Sequence, residues 1–308
     1  MLKTITNNKL FWFLLKLALT AGSLFWCFQL IDYSKIQQLI INADPLILIW
    51  ILPLVILHTS NGAFRFKVLL DPHHKLPFYH HLRQYFIANY FNLILPSSIG
   101  GDAVRIFMLG KNKISKTKAA AYIFSERLMG LYCLVLISIS AGFSIAIHDD
   151  IFVLAASLVG LSLLSLCCIY LAMHLSRGIN QHHIVHARTA IKDLWSHKSR
   201  LASAIFLSLI YQVLTIGFTA LTAAAFQIDI PILLMMSLVP IVWLATFLPI
   251  SIGGVGVREM SFIGLFAQAG INSEQAILLS LGTYAAIVLA GLFGGTWALH
   301  DSFKFSPK

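Results

Sequence analysis

Residues Leu95–Arg105 read LPSSIGGDAVR, and the chain repeats that line almost unchanged as LPISIGGVGVR at Leu248–Arg258. Eight of the eleven positions match without a gap: Leu95/Leu248, Pro96/Pro249, Ser98/Ser251, Ile99/Ile252, Gly100/Gly253, Gly101/Gly254, Val104/Val257 and Arg105/Arg258. The offset is 248 − 95 = 153 residues in a chain of 308. A repeat spaced by half the length predicts two related halves, here about 1–147 and 151–300. Each copy places a proline, a serine and a glycine pair inside apolar sequence. Those residues interrupt helices, so the interruption itself is the feature to explain.

The sequence around the two copies is that of a membrane protein. Hydrophobic residues make up 58% and charged residues 11%, against roughly a quarter charged in soluble chains. Six apolar stretches reach about 20 residues, the length that crosses a bilayer core. They are 10–31, 45–64, 119–147, 151–175, 201–226 and 274–299. The expected fold is therefore an all-α polytopic membrane protein, one integral membrane domain over 1–308. It has six full transmembrane helices and two broken, re-entrant hairpins at 84–109 and 232–270. Lys3 and Lys9 precede the first stretch as in a signal peptide. That stretch runs on to Ile31 without a small-residue cleavage site, so it is expected to be retained.

The net charge of +10 sits in loops and so reads as topology and headgroup contact. No soluble basic region exists to carry a nucleic-acid site. Cys27, Cys133, Cys167 and Cys168 all fall in apolar runs without metal-ligand spacing, and are expected to be free thiols used as small apolar residues. His182, His183 and His186 have helical spacing but no accompanying carboxylate or thiol set. Beside Arg188 and Lys192 they are expected to meet headgroups rather than a metal. No cofactor motif is present.

Loop charge also orients the chain. The segments 65–83, 111–118 and 177–200 and both termini are basic and should face the cytoplasm. The acidic turns at 32–44, 149–150 and Asp229 should lie outside. The stretch 84–109 then has cytoplasmic sequence on both flanks, so it should enter, turn at Pro96–Gly101 and leave by the same side. The second stretch follows an outside turn and should enter from there. Two halves of equal order and opposite orientation form an inverted-topology repeat, an architecture of many transporters.

Backbone broken at membrane depth must line protein or a wet cavity. The glycine pairs Gly100–Gly101 and Gly253–Gly254, with Pro96 and Pro249, are expected to shape the hairpin turns. Ser97, Ser98 and Ser251 are suited to cap the outgoing half-helices, whose N-termini attract anions. Arg105 and Arg258 should lie roughly one turn deeper. Each guanidinium is a candidate for a phosphate or carboxylate, or for a salt bridge to Asp102, Glu126 or Glu259. Both copies keep the arginine while Val255 takes the place of Asp102. Glu126 and Arg127 lie well inside an apolar run, where charges are paired or functional. Either they neutralise Arg105 and Asp102, or they contact substrate. Glu259 should point away from its neighbour Arg258 and either carry a coupling proton or pair with Arg127. Asn89, Asn92 and His58 are candidates for the same cavity, with an interhelical hydrogen bond the expected role of His58.

The ordered residues Phe91–Arg105 (FNLILPSSIGGDAVR), Ser125–Gly130 (SERLMG) and Pro249–Glu259 (PISIGGVGVRE) resemble the membrane-domain family of lysylphosphatidylglycerol synthases. That family includes stand-alone, flippase-like proteins. The resemblance covers most of the chain. It implies a multi-pass protein of a bacterial inner membrane that handles phospholipids or polyprenyl-linked lipids, and it puts Asp102, Arg105, Glu126, Arg127, Arg258 and Glu259 on the family's polar motifs. In two-part members a soluble domain after the membrane domain transfers lysine. This chain stops at Lys308, so aminoacyl transfer is not expected. Lipid translocation is the leading expectation, with membrane lipids as partners and the headgroup anionic. The alternatives are a membrane-embedded transferase using Asp102 or Glu259 on a lipid-linked substrate, and an accessory protein that partners envelope-biosynthesis enzymes.

Overall fold

A computed structural model of the protein describes residues 2–70, 76–95, 100–112, 114–146, 196–247 and 251–304. Apart from one 3-10 turn at Ala267–Ala269, its regular elements are α-helices. They are α1 (Leu2–Gln29), α2 (Tyr33–Ile41), α3 (Pro45–Leu69), α4 (Phe78–Ile94), α5 (Gly100–Lys111), α6 (Lys116–Ala146), α7 (Lys198–Ala225), α8 (Ile232–Phe247), α9 (Val257–Phe266) and α10 (Ser273–Lys304).

Four of these are long and apolar enough to cross a membrane: Pro45–Leu69, Lys116–Phe143, Lys198–Ala225 and Ser273–His300. The apolar part of α1, Leu14–Gln29, and α2 make a fifth crossing if taken together, but they meet at a bend of 82°. The expectation of six full spans is thus met in part among the described residues. The stretch 151–175, expected to be one of them, lies outside the described residues, as do 182–186 and the cysteines at 167 and 168.

Two loop expectations are corrected. The segment 32–44 is largely helical, because it carries its own start signal. The Asp32 carboxylate accepts from the Ser34 N–H at 2.9 Å, the N-cap arrangement that satisfies an orphan donor. Ile36 and Leu39 then pack on the core while Tyr33, Ile40 and Ile41 stay exposed. Glu274 at the start of α10 fastens this corner, accepting from the Asp32 N–H at 3.2 Å and pairing with Lys35 at 3.7 Å. The second correction concerns Arg65 and Lys67, expected in a cytoplasmic loop. The helix that starts at the Asp44 cap, with Pro45 at its first position, continues through both to Leu69. His81, expected in the same loop, is buried on α4.

Several buried hydroxyls within these helices are satisfied without leaving them. Thr59, Ser208, Thr219, Thr222 and Thr283 each donate to the carbonyl four residues earlier, at 2.6–3.0 Å. That habit lets a polar side chain sit where no water is at hand. His58 takes the interhelical hydrogen bond expected of it, with Nε2 3.1 Å from Thr215 Oγ1 of α7.

The packing has a reciprocal pattern. Helix α3 lies on α7. The arm entering the first broken stretch, α4, packs on α10, and the arm entering the second, α8, packs on α6. Each broken stretch also folds back on itself, α4 against α5 and α8 against α9. The contact between α4 and α10 is close: a Cβ at Gly294 would stand 1.8 Å from the carbonyl oxygen of Phe86. Membrane helices approach this nearly only where a small residue faces the partner backbone.

Candidate functional site at the helix breaks

The two copies of the repeated motif adopt different backbones. Residues 96–99 and 248–250, which include Pro96, Ser98 and Pro249, lie outside the described residues. In the first copy Gly100 and Gly101 are already the first turn of α5, so they begin the half-helix rather than form the bend. Gly101 is required by proximity. A Cβ there would stand 2.3 Å from the Ala88 carbonyl oxygen, and its N–H donates to Asn92 Oδ1 at 2.7 Å. Asn92 of α4 therefore caps α5 from across the hairpin, a role sequence reading gave to the serines. In the second copy Gly253, Gly254 and Gly256 have φ of 63°, 78° and 84°, a region that L side chains avoid. The turn persists, and α9 begins at Val257. Arg258 is consequently in the first helical turn, not one turn deeper as expected. Ser251 makes no cap; its hydroxyl is buried without a hydrogen-bond partner.

Around the first break, α3, α4 and the half-helix α5 converge on one carboxylate of α6. Glu126 of α6 is 1% exposed. Its Oε1 accepts from Arg65 of α3, through Nε at 3.2 Å and Nη2 at 3.0 Å, and from the Tyr85 hydroxyl of α4. Its Oε2 accepts from Arg105 Nη2 of α5 at 2.9 Å. Arg65 also donates to Ser208 of α7 at 3.2 Å and lies 4.7 Å over the Tyr211 ring. Arg105 is sandwiched by aromatic faces, 4.1 Å from the Tyr85 ring centre and 4.4 Å from that of Phe66. Guanidinium charge is favourable over such π faces, most so where water is excluded. Asp102, one turn before Arg105, is 3.7 Å from it and also pairs with Arg127 of α6. Arg127 in turn lies 5.3 Å from the ring centre of Phe247, the last residue of α8. Arg127 thus joins the first half-helix to the edge of the second break.

Charge buried this deeply holds only when it is paired and hydrogen-bonded, since an unpaired ion loses several kcal/mol of solvation. Among the described residues, the guanidiniums of Arg65, Arg105 and Arg127 face the carboxylates of Asp102 and Glu126 here. Arg105 Nε remains buried without a hydrogen-bond partner, as do His81 Nδ1 and both polar atoms of Gln84. The expected site residues Arg105, Asp102, Glu126 and Arg127 are therefore brought together. Arg65 and Tyr85 were missed. A signal existed for Arg65: His58, Asn61 and Arg65 put polar groups at i, i+3 and i+7, one face of a helix.

The second break holds a smaller, self-contained set. Arg258 and Glu259, expected on different faces, bind each other. Arg258 donates to Glu259 Oε1 through Nη2 at 2.5 Å and Nε at 3.0 Å. Ser280 of α10 accepts from Arg258 Nε at 3.0 Å and donates to the same carboxylate oxygen at 3.0 Å. Arg258 also stacks 3.8 Å from the Tyr284 ring centre. The other oxygen of Glu259 accepts from the Gly256 N–H at 2.6 Å, so the carboxylate stabilises the turn that precedes it. Helix α1 covers this turn, with Thr20 Oγ1 accepting from the Ile252 N–H at 3.0 Å. Glu259 is therefore engaged by Arg258, and the alternative pairing with Arg127 gives way to Asp102.

Membrane-length helices carrying a buried, paired set of charges define a polytopic α-helical membrane protein. Residues 13–295 match the family described as Lysylphosphatidylglycerol synthase TM region, and the chain belongs to it. This is the family that the three motifs resembled. No curated protein and no solved structure matches the chain.

Proposed function

We propose that the protein is a lipid translocase, moving a phospholipid or polyprenyl-linked lipid across the cytoplasmic membrane of a bacterium. The anionic headgroup enters at the helix breaks while the acyl chains stay in the bilayer. The observation that carries this reading is that, among the described residues, three guanidiniums meet two carboxylates at the first break, beside a half-helix N-terminus. A net positive, largely buried set is suited to an anion that arrives with its own charge. Membership of the family supports work on membrane lipids. Arg105, Arg127, Asp102 and Glu126 form the headgroup side, and Arg258, Glu259 and Ser251 are its counterpart on the other hairpin.

The reciprocal packing supports the inverted repeat that such a transporter uses. If α3 corresponds to α7, α4 to α8 and α6 to α10, then the contact of α4 with α10 maps onto that of α8 with α6. The contact of α3 with α7 maps onto itself. That is the pattern of a pseudo-twofold axis between α3 and α7. Rocking about that axis would expose the breaks alternately to the two sides. Pairing of Asp102 and Glu259 with guanidiniums favours transport over transferase chemistry, because the oxygens of both carboxylates are already engaged by partners within the protein.

A leaflet-exchange assay, in vesicles reconstituted with purified protein and fluorescent phospholipids, tests this reading. The expected result is protein-dependent exchange that falls sharply in the double variant Arg105→Ala, Arg258→Ala. Exchange equal to that of the unaltered protein would overturn the reading.

A further inference from the structure

The charges at the first break are graded in exposure as well as unequal in number. The Glu126 side chain is 2% exposed, Arg65 and Arg105 are 6%, Asp102 is 10% and Arg127 is 24%. The pair between Arg127 and Asp102 is thus the outermost, and Glu126 the innermost. A carboxylate on a guanidinium offers two oxygens to a planar fork, which is also how a phosphate binds arginine. Among the described residues, the second copy has no such arrangement. Val255 stands where Asp102 would be, and Arg258 is already held by Glu259, Ser280 and Tyr284.

We propose that Asp102 is a tethered stand-in for the ligand, a carboxylate that occupies Arg127 until the phosphate of a lipid headgroup displaces it. This rests on the lipid-translocase reading and names its ligand chemistry and the residue that exchanges. The displaced carboxylate is not stranded, because Arg105 stands 3.7 Å away and carries the buried Nε that lacks a partner. An incoming phosphate takes the outermost guanidinium, and the inner cluster on Glu126 stays intact. Among the described residues the device is found on the first hairpin, so the two hairpins play different parts. One exchanges anions, and the other is held by its own pair.

The experiment measures binding of dioctanoyl phosphatidylglycerol and, separately, of inorganic phosphate to the purified full chain by titration calorimetry. Removing the competitor with Asp102→Asn should tighten lipid binding roughly tenfold, and Arg127→Gln should weaken it roughly tenfold or more. The double variant Asp102→Asn, Arg127→Gln should bind no more tightly than Arg127→Gln alone, because the exchange with phosphate takes place at the Arg127 guanidinium. Arg127→Lys, which keeps the charge without the fork, should fall between. Inorganic phosphate should follow the same order at lower affinity; phosphate binding as tight as the lipid would overturn the headgroup assignment in favour of the free ion. Thermal unfolding of each variant shows which are folded, and the gain in Asp102→Asn is a result that misfolding cannot mimic. Unchanged or weaker binding in Asp102→Asn, with lipid exchange intact in the unaltered protein, overturns this inference alone. An unaltered protein that neither binds nor exchanges the lipid overturns the translocase reading with it.

Discussion

Arg65 on α3 and Glu126 on α6 meet at 3.0 Å in the interior of the helix bundle, although the sequence places one at the end of an apolar run and the other inside a later one. Because Arg105 and Tyr85 share the same carboxylate, Glu126 binds partners from α3, α4 and α5 at once. Neutralising it should therefore cost more than neutralising any one partner.

Glu126→Gln leaves two guanidiniums without their carboxylate in a dry interior. Removing one partner of a buried ion pair costs about 3–5 kcal/mol. The variant should unfold at a markedly lower temperature in detergent, and adding Arg65→Met should recover part of the loss by removing one stranded charge. A single variant as stable as the unaltered protein would mean that the cluster is not held by this carboxylate.

The two glycine pairs should respond to alanine for different reasons. At Gly101 a methyl group meets the Ala88 carbonyl, so α5 must move off α4, an overpacking cost of about 1–3 kcal/mol. At Gly253, where φ is 63° and nothing lies within 4 Å of the added Cβ, the cost is only the backbone preference, about 1–2 kcal/mol. A leucine series separates them: Gly101→Leu should be worse than Gly101→Ala, whereas Gly253→Leu should resemble Gly253→Ala. Thermal unfolding reads the difference.

Arg200 near the start of α7 donates to the carbonyls of Val68, Leu69 and Leu70 at 3.4, 2.8 and 3.1 Å. It closes the C-terminal end of α3, where those carbonyls have no helical partner. Arg200→Ala should destabilise by about 1.5–3 kcal/mol, the range for hydrogen bonds to charged groups. It should also quicken amide exchange at Leu69 and Leu70 while leaving α8 unaffected, as hydrogen-exchange mass spectrometry would show.

Single cysteines at positions 75, 113 and 229 test the orientation of the first hairpin. Labelling from intact cells and inverted vesicles should put 75 and 113 on the cytoplasmic side and 229 on the other. Opposite sides for 75 and 113 would make 84–109 a crossing rather than a hairpin.

The helical, membrane-spanning character is legible because membrane insertion is driven by averages that a sequence displays, above all apolar length, and the helix breaks are legible from the repeated motif. Details that depend on one residue are not. The motif copies diverge at positions 103 and 256, alanine in the first and glycine in the second. Alanine joins the helix, whereas glycine accepts a φ of 84° and postpones it. With that later start, Arg258 falls in the first turn and within reach of its neighbour Glu259. Arg65 reads as loop because a charge at the end of an apolar run normally marks the membrane boundary. Its helix runs on because Ser208, Glu126 and Tyr211 supply inside the protein what water would supply outside. Helix α2 escapes notice because nine residues with a single apolar face are too short for a composition signal, although the Asp32–Ser34 cap is there to be seen.

The crossing of α4 with α10 and α8 with α6 also bears on how the chain is made. The surface of α4 that receives Gly294 belongs to a helix synthesised well over half a chain earlier. During translation the first hairpin must therefore wait in the bilayer with that face against lipid, while α6 acquires its partner α8 much sooner. Assembly thus closes in reverse, the earliest hairpin being the last to be locked, and a chain cut between its halves would leave both hairpins without their clasp.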